Sequence, residues 1–154
     1  MKNAFKTVAS LLVCAMMFAA CSSSSSPSKV VLNSYKAGEK AIEKMNSISD
    51  NGMSKDEKEK AALECFKEVA SYYPCNSDKE IEETAGGLAL IYSLGQAFGG
   101  KVNKAIDYKV ISEEINGDEA TVTVKKIYED GTEKEGTEKC VKTDKGWKLA
   151  PIKL

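Results

Sequence analysis

A chain of 154 residues with 42 % hydrophobic and 29 % charged side chains can bury one core but not two, and is too apolar for a disordered tail. Its net charge of −1 becomes −3 once Lys2 and Lys6 leave with the leader described below, so no basic surplus exists to hold nucleic acid. Histidine and arginine are both absent, which removes the commonest acid/base group, the commonest metal ligand and the bidentate anion clamp.

Lys2 and Lys6 form a positive start, and residues 8–20 then run apolar, interrupted only by Ser10 and Cys14. That run is shorter than the about 20 residues a permanent membrane helix needs, and has the length of a signal-peptide core. It ends in Phe18-Ala19-Ala20-Cys21, which resembles a bacterial lipobox. The resemblance implies removal of residues 1–20, a diacylglyceryl thioether on Cys21, and anchoring by two or three acyl chains that hold a protein on a membrane where one would not. Phe18 stands where the family usually has Leu. Ser22 follows the cysteine, where an Asp would retain many lipoproteins at the inner membrane. The resemblance therefore places the chain in the cell envelope, on an outer membrane and facing the periplasm. Residues 21–28, the lipidated cysteine with a run of serines and Pro27, read as a tether with nothing to bury. The domain then occupies residues 29–154.

Apolar residues at helical spacing (Val31, Tyr35, Ile42, Met45) predict a first helix over residues 29–48, with Ser28 as its cap and Gly38 as a weak point. Asp50-Asn51-Gly52 reads as a break. Ser54 and Glu57 form a capping box opening a second helix, whose Ala62, Phe66, Val69 and Tyr73 share a face until Pro74 stops it. A second box, Ser77 with Glu80, opens a third helix running to Gly99-Gly100. Residues 85–100 are apolar nearly all round. A membrane-touching segment is one reading; the Gly, Ser and Gln residues within it favour burial on most sides.

From Ile106 the period changes to two, with strand-like runs at residues 106–115, 119–128, 133–143 and 147–152. Asn116-Gly117, Asp130-Gly131 and Lys145-Gly146 supply three hairpin turns. Ala120, Val122 and Val124 alternate with Thr121, Thr123 and Lys125, the pattern of a sheet with one buried face, and Trp147 and Leu149 share that face. Helices followed by an antiparallel meander predict an α+β fold, with the helices packed on one face of a curved four-stranded sheet.

Asn116-Gly117-Asp118-Glu119-Ala120-Thr121-Val122-Thr123-Val124, followed by Lys145-Gly146-Trp147-Lys148-Leu149, resembles the small nuclear-transport-factor-2-like lipoproteins, cystatin-like domains of unknown function. The resemblance implies a cone between sheet and helices. Enzymes of that superfamily work with Asp, Tyr or His lining the cone, so Asp107, Tyr108, Tyr35, Tyr73, Tyr92 and Tyr128 are the residues to locate. A tyrosine at helical or strand spacing is more often core with its hydroxyl at the rim. The expectation is a non-catalytic module without metal or cofactor, tethered to a membrane and binding a small apolar ligand or a protein partner. The alternatives are a scaffold whose cone is filled by Trp147, Phe66, Phe98 and tyrosines, and an acid/base enzyme on Asp107 and a tyrosine.

After Cys21, Cys65, Cys75 and Cys140 remain. In an oxidising compartment a bridge from Cys140 to Cys75 or to Cys65 is open, as are three reduced thiols. Helix length argues against Cys65 with Cys75. The Lys/Glu runs at residues 55–60 and 133–139 read as solvated faces.

Overall fold

The computed structural model describes residues 26–48, 52–97 and 104–151. The leader, Cys21, most of the serine tether, the break at Asp50-Asn51, Phe98 with Gly99-Gly100, and Ile152 lie outside the described residues. Three helices, α1 (Pro27–Ile48), α2 (Lys55–Ala70) and α3 (Asp78–Ala97), precede four strands, β1 (Ala105–Asn116), β2 (Glu119–Tyr128), β3 (Glu133–Thr143) and β4 (Gly146–Leu149). The strands form one antiparallel sheet in the order β1-β2-β3-β4. The predicted α+β arrangement is the one observed.

The first helix starts earlier than its periodicity suggests. Ser26, not Ser28, caps it: the Ser26 carbonyl accepts from Val30 N at 3.1 Å, and its hydroxyl lies 3.4 Å from Lys29 N. Pro27 then occupies the first helical position, where a missing N–H costs nothing and a fixed φ is already helical. Pro27 is also buried. The Ser28 N–H donates to Glu113 on β1 at 2.7 Å, a carboxylate at the positive end of the helix.

In α2 both halves of the Ser54/Glu57 box form, with Ser54 N donating to Glu57 at 2.8 Å. The helix ends at Ala70, before Tyr73, and closes with tight bonds from Tyr72 N to Val69 O and from Tyr73 N to Ala70 O. Pro74 forces this, since the residue before a proline is driven out of helical geometry. At α3, Ser77 accepts from Glu80 N, but the Glu80 carboxylate reaches Asn76 N instead of Ser77 N.

The burial expected of α3 is not observed. Only Ala85 and Ala89 are buried, while Leu90, Ile91 and Leu94 are 60, 50 and 48 % exposed. The helix packs mainly on α2, with Ala85 and Ala89 buried and Ile81, Leu88 and Tyr92 partly covered, while Leu90, Ile91 and Leu94 face outward.

Gly117, Gly131 and Gly146 carry the positive φ that the three hairpins require. On β2 the predicted alternation holds: Ala120, Val122 and Val124 are buried against α1, and Thr121, Thr123 and Lys125 face away. β4 is shorter than its sequence pattern. It pairs only with Cys140–Thr143, is prolonged by one bond from Ala150 N to Lys139 O, and stops before Pro151, which has no N–H for the ladder. Two buried clusters result. Val30 and Val31 of α1 pack on Val122, Val124, Cys140 and Leu149 of the sheet, whereas Ala37 and Ala41 of the same helix pack on α2.

Candidate functional site

The space between α1 and the sheet is where a cone-shaped domain would hold a ligand. Tyr35 lies on α1 one turn before Glu39, so both reach down the same side of the helix. The β1–β2 register sets Tyr108 opposite Lys126, and the β2–β3 register sets Glu138 opposite the buried Val122. Side chains opposite one another share a face of the sheet. These five groups therefore meet beneath α1.

Their geometry is tight. Tyr35 Oη donates to Glu138 at 2.6 Å, and Tyr108 Oη donates to Glu39 at 2.8 Å. The two rings lie 5.3 Å apart between centroids, and Lys126 Nζ sits 3.9 Å above the centre of the Tyr35 ring. That distance is a cation–π contact. The open space left among them is about 230 Å³, walled further by Gly38, Tyr73 and Leu149.

Burial, then the carboxylate each phenol donates to, pushes the Tyr35 and Tyr108 hydroxyls well above the ordinary phenol range. Burial followed by the charge of Glu138 raises Tyr73 as well. Tyr35 and Tyr108 thus hold their protons and donate them to the two glutamates. The arrangement is two neutral donors satisfying two carboxylates, with one ammonium group on an aromatic face. Among the described residues no buried side-chain N or O lacks a hydrogen-bond partner, and no cluster of three acidic, Cys or His side chains could hold a metal ion.

Of the residues singled out from sequence, Tyr35, Tyr73 and Tyr108 come together here. Asp107 does not: it pairs with Ile127 on the face away from α1, and its carboxylate accepts from Tyr108 N at 2.8 Å. Tyr92 sits in the helical cluster, 5.9 Å from the Phe66 ring, and donates to Asn46. Tyr128 ends β2, where its N–H closes the β2–β3 hairpin on Thr132 O. Phe66 belongs to the helical cluster and Trp147 to the sheet cluster, so tyrosines, not these two, narrow the cone.

Glu39, Glu138 and Lys126 escaped sequence reading. Glu138 lies in a run of charges taken for a solvated face, yet strand alternation turns it inward. The signal that could have found Glu39 is its spacing of four from Tyr35.

The described cysteines Cys65, Cys75 and Cys140 are all free. Cys140 is buried under the first turn of α1, 4.0 Å from Pro27 O, and burial pushes its thiol up to about 11. Cys75 is half-buried after α2, 3.7 Å from Ala70 O and 3.6 Å from the Thr84 hydroxyl. The two thiols thus have separate neighbours. Cys75 also lines a cavity of about 340 Å³ walled by Tyr73, Thr84, Leu88, Ile91 and Pro151.

Among the described residues no helix is long and apolar enough to cross a membrane. No protein-family model matches the chain, and no curated protein matches it. Among solved structures it is similar to a crystal structure described as "Putative NTF2-like transpeptidase" from Campylobacter jejuni, with a TM-score of 0.52 and 16 % identity, covering 83 % of this chain and 100 % of that one. At that identity the likeness is one of fold. Three helices followed by a four-stranded antiparallel meander, with a tyrosine-lined cleft between α1 and the sheet, are an α+β arrangement of the NTF2-like kind.

Proposed function

We propose that this chain is a lipid-anchored, non-catalytic binding module of the cell envelope, held by Cys21 to an outer membrane on its periplasmic side and acting on a protein partner through its outer surface. One observation carries the non-catalytic reading. The charged groups of the cleft are spent within it, Glu138 on the Tyr35 phenol, Glu39 on the Tyr108 phenol and Lys126 on the Tyr35 ring, which leaves the Tyr73 hydroxyl beside them as a neutral group. The remaining space of about 230 Å³ also falls short of the roughly 300–1,000 Å³ typical of ligand pockets. No cofactor enters this reading.

One feature favours a second reading, a small ligand in the cleft. Gly38 sits mid-helix, at a cost of about 1 kcal/mol relative to Ala, and a β-carbon there would meet nothing within 4 Å. Native mass spectrometry of the full-length gene product, extracted from membranes, separates the two. The binding-module reading expects the lipidated chain with nothing retained. A co-purifying small molecule that Gly38→Leu removes would overturn it in favour of the second. Anchoring is tested apart from both, by labelled palmitate: wild type takes the label, and labelling that persists in Cys21→Ser refutes the anchor.

A further inference from the structure

Among the described residues the sheet has two open edges, and they are built differently. On the β4 side, β4 covers only Cys140–Thr143, so β3 is uncovered over most of residues 133–139. That stretch reads Glu-Lys-Glu-Gly-Thr-Glu-Lys, the dense charge by which proteins keep an edge from recruiting another strand. The β1 edge is less densely charged, with Asp107, Lys109, Glu113 and Glu114 spread among apolar residues along it. It is a 12-residue strand, about 40 Å long, and Ile106, Val110, Ile111 and Ile115 on it are 60, 39, 52 and 49 % exposed. About half of the backbone N–H and C=O groups of any edge strand point away from its one neighbour.

We infer that the β1 edge is a two-fold interface at which β1 of a second copy of this chain pairs antiparallel, making one continuous eight-stranded sheet. The charge pattern of β1 selects this occupant. Lys109 lies before the bulge at Ile111, and Glu113 and Glu114 lie after it. Antiparallel pairing about a two-fold axis between Ile111 and Ser112 sets Lys109 of each copy opposite Glu114 of the other. The faces agree with this register. Lys109 and Glu114 pair with Lys125 and Thr121, which share the face of β2 turned away from α1. The same register sets Tyr108 opposite Ile115, whose β2 partners Lys126 and Ala120 share the α1 side. Each favourable pair then occurs twice, as an isologous interface requires. Glu113 is already engaged by the Ser28 N–H and takes no part in this pairing. The inference needs neither the lipid anchor nor the emptiness of the cleft.

The test uses the full chain in bacterial cells, with a photoactivatable benzophenone amino acid introduced in place of Ile111, or of Thr137 on the β3 edge as control. A cross-linked band at twice the monomer mass is expected from the first and not from the second. Lys109→Glu lowers the yield of that band at least about fivefold, since two attractions become repulsions, and adding Glu114→Lys to the same chain restores it to within about twofold. Both substitutions are on exposed side chains, and thermal unfolding of each variant confirms that the fold is kept. No doubled band at 111, an equal band at 137, cross-linking to lipid in place of protein, or failure of the double variant to recover would each overturn the interface.

Discussion

The two buried clusters of this domain are made of different material. The sheet cluster is built from β-branched residues: Val31, Val122 and Val124 are completely buried, and cross-strand register fixes where each one lies. The helical cluster consists mostly of alanines (Ala37, Ala41, Ala62, Ala70, Ala85 and Ala89), with Phe66 its one large buried side chain. α1 belongs to both, by its first turns on the sheet and by its later turns on α2. α3 belongs only to the second. Alanines let helices approach closely but each buries little apolar area, so Phe66 is the largest fully enclosed contribution to the helical half, whose other large side chains (Met45, Leu63, Leu88, Tyr92) are only partly covered.

That contrast is best broken at its weak point. Phe66→Ala is expected to cost about 3–5 kcal/mol, because the small neighbours cannot collapse into the space. It should also separate the two halves. Trp147 is the only tryptophan and sits in the sheet cluster, so its fluorescence follows the sheet while far-ultraviolet circular dichroism follows the helices. In urea, the helical signal of Phe66→Ala should fall first. Coincident transitions would mean that the clusters unfold as one unit and that the difference in material has no consequence. The matching change in the sheet, Val122→Ala, is expected to cost about 2 kcal/mol and to leave the two signals coincident.

Alkaline pH sharpens the comparison from the sheet side. The Tyr35 and Tyr108 phenols, pressed between α1 and the sheet, have pKa values raised above the ordinary 10.0. The unfolded chain loses those protons near pH 10 and the folded one holds them. Their contribution is therefore complete below pH 10 and is lost as pH climbs from there toward the folded values. The melting temperature should fall above pH 10, and the fall should be shallower in the Tyr35→Phe/Tyr108→Phe variant. An unchanged slope would show that these phenols ionise as freely in the folded protein as in the unfolded chain.

What could be read from sequence follows the range of the interaction. The capping box at Ser54, the hairpin glycines and the alternation on β2 are settled within a few residues, and each lies where its pattern puts it. α1 starts two residues before its apolar periodicity places it, because Ser26 and Ser28 are both competent caps and only Pro27 in the first helical position decides between them. The site was half legible. Three of its tyrosines could be named as candidates, but Glu138 looks like one more charge in a polar run until the register places it opposite Val122. The exposure of α3 was illegible for a related reason. Apolar composition reports how much surface could be buried, whereas the element that covers it is chosen by the rest of the fold.

That last point supplies the smallest predicted effect. Leu90 is 60 % exposed on the face of α3 turned away from α2, so most of its apolar area is wet already. Replacing it with lysine keeps a good helix former and a long aliphatic stem that can lie along the same surface. Leu90→Lys should change unfolding free energy by less than about 1 kcal/mol, against the several expected at Phe66 one helix away. Urea unfolding of the two variants side by side measures the ratio. If Leu90→Lys costs as much as Phe66→Ala, the outer face of α3 is covered in the folded protein.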